Sequence, residues 1–118
     1  MKEADLHRQV CDYLGLALLP PAWFTTFPAD GATRRGRIGL KRGVPDILIV
    51  HEGRAYWIEL KAAGGRVSAN QGETILAIEA AGARAYVCRS LEDVVIGLRC
   101  WAIPIRGGWI LGPGVRIG

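Results

Sequence analysis

Cysteine is scarce in this 118-residue chain: Cys11, Cys88 and Cys100 are all there are. Their number is odd, they are widely spaced, and they stand in apolar surroundings without a paired motif. That excludes a secreted disulfide scaffold and a cysteine zinc site, and it predicts three buried thiols in a reducing compartment. Long apolar runs are also missing. The opening MKEADLHRQV has no hydrophobic stretch of signal-peptide length, and no later segment approaches the roughly 20 residues of a membrane span. The expectation is a soluble, cytoplasmic protein that is not secreted. Low-complexity segments and internal repeats are absent as well. With 50% hydrophobic and 22% charged residues the chain excludes intrinsic disorder. Its length suits one domain, residues 1–118, built on a single core that needs no covalent staple.

Fifteen Lys and Arg against eleven Asp and Glu leave a net charge of +4, an excess that suits a polyanionic partner. The excess is unevenly spread. Arg34, Arg35, Arg37, Lys41 and Arg42 crowd into a Gly- and Arg-rich stretch between Pro28 and Val44. A long segment of this kind in a small domain usually serves function, and these five side chains are candidate phosphate contacts.

Leu6, Val10, Tyr13, Leu14, Ala17 and Leu18 recur at three- and four-residue spacing and predict an amphipathic helix from about Lys2 to Leu19, stopped by Pro20-Pro21. Trp23 to Phe27 reads as a short strand. Ile47 to Val50 and Arg54 to Leu60 are rich in β-branched and aromatic residues and flank the turn signal His51-Glu52-Gly53, so they predict an antiparallel hairpin. Ser68 to Gln71 opens a helix to about Ala81, with Ile75, Leu76 and Ile78 expected toward the core and Gly82 as its stop. Arg84 to Cys88 reads as a strand parallel to the second hairpin strand through a right-handed crossover. Ser90 caps a last helix through about Trp101. Residues 103–118 read as a hairpin or an extension. Together these elements predict an α/β fold, a central mixed sheet flanked by helices, with the site at the sheet edge where the hairpin and first helix meet.

The hairpin carries the chemistry. Asp46 precedes its first strand, and Glu59, Leu60 and Lys61 end its second. Alternation puts Trp57, Glu59 and Lys61 on one face and Tyr56, Ile58 and Leu60 on the other. Asp46 joins Glu59 only if a two-residue turn at Glu52-Gly53, or an equivalent bulge, sets the register; a three-residue turn pairs it with Ile58 instead. Two converging carboxylates repel unless a cation sits between them. Mg²⁺ suits such a donor set, since it takes oxygen ligands, keeps several waters and needs only one or two carboxylates, with the Leu60 carbonyl a natural backbone ligand. Lys61 could orient a water or stabilise charge building on a phosphate.

Gly43-Val44-Pro45-Asp46 followed by Glu59-Leu60-Lys61 resembles the PD-(D/E)XK nuclease superfamily, and more narrowly the VRR-Nuc domain, the virus-type replication-repair nuclease module. Glu3 near a helix start, the aromatic strand from Trp23, the basic stretch, G-x-PD, E-x-K and Gln71 on the next helix follow that family's order over roughly residues 3 to 95. The resemblance implies a restriction-endonuclease-like fold and Mg²⁺-dependent hydrolysis of DNA, with Mn²⁺ also active. It implies that Asp46 and Glu59 hold metal, that Lys61 is catalytic, that Glu3 adds a direct or water-mediated acidic contact, and that Gln71 positions water or phosphate. It further implies a homodimer acting on branched DNA such as a four-way junction or flap.

Plainer roles compete for several of these residues. Gln71 fits a capping box with Ser68, Glu3 could simply answer the helix dipole, and Asp5 stands close enough to be the relevant acid instead. His7 and His51 read as a helix-surface and a turn residue, and neither is assigned to metal or base. Trp23, Phe24, Trp57 and Trp101 read as core. A non-catalytic DNA-binding module on the same fold is the alternative function. A sequence-specific restriction enzyme would call for a recognition domain that has no counterpart here.

Overall fold

The computed structural model describes residues 1–27 and 43–107, and the backbone of 109–110 and 116–117. The basic cluster Arg34, Arg35, Arg37, Lys41 and Arg42 lies outside the described residues. Among the described residues, three helices, α1 (Glu3–Ala17), α2 (Ala69–Ala80) and α3 (Leu91–Cys100), accompany strands β1 (Trp23–Thr26), β2 (Ile47–His51), β3 (Arg54–Leu60), β4 (Arg84–Cys88), β5 (Trp109–Ile110) and β6 (Arg116–Ile117). The main sheet has the order β1-β2-β3-β4, with β1, β2 and β3 antiparallel and β4 parallel to β3. It is therefore the mixed sheet expected of an α/β fold, reached through a crossover over α2. None of the described helices is long and apolar enough to cross a membrane.

One face of the sheet makes the core. Ile47, Ile49, Tyr56, Ile58, Leu60 and Cys88 meet Leu6, Val10, Leu14 and Ala17 of α1 and Val94 and Leu98 of α3 in a single buried cluster. The i, i+4, i+8 stripe of α1 is what the periodicity predicts. Gly97 lets α3 approach β4, since a Cβ there would come within 2.9 Å of the Tyr86 ring. Trp101 packs beside it against Tyr56 and Tyr86, with ring centroids at 4.9 and 6.3 Å.

The other face is covered more thinly. Helix α2 rests against β4, the edge strand, and has no buried residue. Gln71, Thr74, Ile75 and Ile78 form its half-buried stripe, while Leu76, expected toward the core, is 70% exposed. A helix laid over an edge strand with no described element above it can cover only one stripe, and Leu76 falls just off that stripe. Three further expectations change. Only Cys88 of the three thiols is buried; Cys11 is half-buried and Cys100, on the outer side at the end of α3, is exposed. Trp23 is 57% exposed because it stands on the thinly covered face of edge strand β1, and His51 is a buried strand end rather than a turn residue.

The chain after α3 returns to the core. Ile103 and Ile105 are buried, Ile105 bridges Leu18, and Arg106 binds the end of α1, its backbone N–H donating to the Ala17 carbonyl and its Nε to the Leu16 carbonyl. A cation over the last carbonyls of a helix satisfies acceptors that the helix itself leaves unpaired. The β5-β6 pair is antiparallel, the hairpin alternative for the tail.

The unequal layers yield a stability contrast. Leu14→Ala removes a fully buried side chain and is expected to cost about 2–5 kcal/mol. Leu76→Ala on α2 is expected to stay within about 0.5 kcal/mol of wild type. Urea unfolding of both variants checks this, and comparable losses would contradict the thin covering of the second face.

Candidate active site

The geometry of the site begins at the hairpin turn. Glu52 and Gly53 have φ of 50° and 76°, the positive values that a tight two-residue hairpin turn requires at both positions, and His51 pairs with Arg54. Ile47 then stands opposite Ile58, and one further step along the same register sets Asp46 opposite Glu59. Asp46 and Glu59 thus meet where β2 begins and β3 ends. This is at the end of the two central strands, not at a lateral edge of the sheet, because β1 and β4 occupy the edges.

Each side chain is held by a specific contact. Asp46 Oδ2 accepts the Leu60 backbone N–H at 2.7 Å. In the continued register Pro45 stands opposite Leu60, and proline has no N–H to give, so the ladder leaves the Leu60 carbonyl without its usual donor from β2. Glu59 is 2% exposed; its Oε2 accepts from the Gln71 amide at 3.0 Å and lies 3.5 Å from Lys61 Nζ. Its other oxygen, Oε1, is buried with no hydrogen-bond partner. Lys61, 9% exposed, also lies 3.9 Å from Glu3 Oε1, which brings the start of α1 to the site. Asp5 turns to Arg8 instead, at 3.6 Å.

Gln71 makes the capping box and also reaches Glu59. Its side-chain carbonyl accepts the Ser68 N–H at 2.9 Å and its backbone N–H donates to Ser68 Oγ at 3.2 Å, a complete capping box. Its amide nitrogen remains free to donate to Glu59, which a capping glutamate could not do. Gly43, to which the sequence reading attached no structural task, explains how α2 comes so close. At φ 77° it packs on the start of α2, where a Cβ would strike the Asn70 carbonyl and come within 2.8 Å of the Gln71 nitrogen. The Gly of the G-x-PD pattern is thus a packing requirement that ties Asp46 and Gln71 together.

The electrostatics are unbalanced. Burial first, then the charge of Asp46, push the Glu59 carboxyl up from 4.5 to about 7, with Glu3 adding to the rise and Lys61 opposing it. Among the described residues no group of three or more His, Cys, Asp or Glu side chains gathers to hold a metal by protein ligands alone. What the site has is two carboxylates, an unpartnered buried oxygen and a backbone carbonyl short of a donor. Such an all-oxygen, low-count set fits a hard divalent ion that keeps most of its water, and does not fit zinc. Asp46 and Glu59 are the residues that could hold it, while Glu3 faces Lys61.

Glu59 makes the metal-free protein pH-sensitive. A carboxyl raised in the folded state stabilises the fold when protonated, so that stability is present below about 4.5 and is lost as pH rises through about 7. Thermal unfolding in EDTA is therefore expected to show a melting temperature that falls between pH 5 and pH 8, about the window set by the two values. Glu59→Gln should flatten the fall. Gln71→Glu keeps the cap but puts a second carboxylate against Glu59, so it should steepen it; an unchanged slope in both variants would refute the placement of Glu59.

No curated protein matches the chain. The profile of the VRR-NUC domain matches residues 21–92, more than half the sequence, from just before β1 through the start of α3. That span contains the hairpin, Asp46, Glu59, Lys61 and Gln71, and leaves out all of α1, Glu3 included, and the tail. The chain belongs to the VRR-NUC domain family and is a nuclease domain acting on DNA.

Proposed function

We propose that this domain is a Mg²⁺-dependent endonuclease, with Mn²⁺ as an alternative ion, that hydrolyses phosphodiester bonds in branched DNA. The observation that carries the proposal is the buried, unpartnered Oε1 of Glu59 beside Asp46, in a carboxyl pushed up to about 7. A carboxylate left in this state calls for a cation.

Asp46, Glu59 and the Leu60 carbonyl would hold the ion, and Glu3 would reach it directly or through water. When bound, the ion supplies charge relief on the phosphate oxygens and a lowered pKa for a water. Asp46, through Leu60 N–H, keeps the ends of the two strands together and fixes where the carboxylates meet. Gln71 and Lys61 both take Glu59 Oε2, so they orient that carboxylate with Oε1 left over. Lys61, drawn between Glu59 and Glu3, is in reach to donate to a phosphate oxygen or to the attacking water. Arg34, Arg35, Arg37, Lys41 and Arg42 would bind the DNA backbone without reading bases, which suits recognition of a junction or flap by shape. A homodimer would bring two such sites to two strands.

Cleavage of labelled linear duplex, flap and four-way junction DNA, with Mg²⁺, Mn²⁺ or EDTA, tests the reading. Wild type is expected to cut branched DNA only with metal, and Lys61→Ala to lose about 10²–10³-fold in kcat. Equal cutting by wild type and Lys61→Ala ends the catalytic assignment. Metal-independent binding of every substrate with no cutting would make the domain a DNA-binding module instead.

A further inference from the structure

We propose that Arg89 is a DNA-backbone contact beside the scissile phosphodiester, a reading that rests on the nuclease function above and adds a residue to it. Strand β4 runs parallel to β3 with Cys88 opposite Leu60, and the Lys61 N–H donates to the Cys88 carbonyl at 3.0 Å. One step further along that register sets Arg89 beside Lys61. Alternation gives it the same face of the sheet as Glu59 and Lys61.

The guanidinium is anchored. Arg89 Nη1 donates to the carbonyls of Ala62, at 3.1 Å, and Gly65, at 2.6 Å. Both belong to the turn that follows Lys61, closed by the Gly65 N–H on the Ala62 carbonyl with Gly64 at φ 80°. The Arg89 backbone is held too, its N–H donating to Asp93 Oδ2 at 2.8 Å. Main chain and side chain are therefore both positioned before any ligand arrives.

Its charge, by contrast, is not answered. Both acceptors on Nη1 are neutral carbonyls, and among the described residues no carboxylate lies within ion-pair distance of the guanidinium. Nε and Nη2 keep three N–H groups without an acceptor among the described residues, on a side chain exposed to solvent. A fixed planar fork with spare donors is the geometry that binds a phosphate through paired hydrogen bonds. The need for one is local: Glu3, Asp46 and Glu59 repel a polyanion, and Lys61 is already drawn to two of them. Among the described residues, Arg89 is a neighbouring cation with charge to spare.

Arg89→Gln and Arg89→Lys in the full chain separate this role from a purely structural clamp. The shorter Gln does not reach as far as Nη1 and carries no charge, so it loses clamp and charge together; Lys also loses the planar fork but keeps the charge. Binding of labelled duplex and four-way junction DNA in EDTA is measured against salt concentration, with cleavage in Mg²⁺ alongside. Arg89→Gln is expected to shrink the salt slope by about one and to raise KM more than it lowers kcat, while Arg89→Lys keeps the wild-type slope. A wild-type slope in Arg89→Gln overturns the proposal, as does a slope lost equally in both variants. Wild type that binds with the expected slope yet cuts nothing would sink the nuclease reading and leave the Arg89 contact standing; no binding at all would sink both.

Discussion

The register of the β2-β3 hairpin is the constraint on which the rest of the protein depends. Glu52 and Gly53 turn the chain in two residues, and every cross-strand pair from His51↔Arg54 to Ile47↔Ile58 follows. Ile47, Ile49, Ile58 and Leu60 are fully buried in that arrangement, each contributing about 1.5–3 kcal/mol by leaving water. Shifting one strand by a residue would turn its core side chains outward and set Asp46 opposite Ile58 instead of Glu59. The apolar core and the acidic site are opposite faces of one register, so the energy that holds the core also holds the two carboxylates together.

That enforcement is what allows the site to be electrostatically unfavourable. Glu59 is buried beside Asp46 with Glu3 nearby, and among the described residues Lys61 alone opposes the three carboxylates. Left to itself the site relieves the strain by holding a proton on Glu59 up to about pH 7. Gln71 and Lys61 occupy one oxygen of Glu59 and leave the other bare. Perturbed groups of this kind mark functional sites because a stable scaffold bears their cost. The capping box shows the same economy, since one amide both starts α2 and steers Glu59.

Much of the fold can be read from local pattern. The stripe Leu6, Val10, Leu14 and Ala17 marks α1, the β-branched runs mark the hairpin, and Ser68 and Ser90 mark the starts of α2 and α3, because each signal is a local periodicity or a local hydrogen bond. Leu76, Trp23 and Cys100 were misplaced for one reason: whether an apolar side chain is buried depends on what lies over it, and hydrophobicity alone does not say that α2 covers only an edge strand. Arg106 carries no local signal because its acceptors, Leu16 and Ala17, are far away in the chain.

The amino-acid sequence alone determined the identities and the parity of the site: Glu59 and Lys61 share a face because a strand alternates, and Asp46 stands just before the partner strand, behind Pro45. It also narrowed Asp46's partner to two choices. Tertiary structure decided the remainder. It chose the two-residue register, selected Glu3 over Asp5, carried Gln71 to Glu59 across the close contact at Gly43, and set Arg89 beside Lys61 through a parallel strand pairing. Those are distances between segments remote in sequence, and only the packing of α1, α2 and β4 around the hairpin brings them within hydrogen-bonding or ion-pair reach.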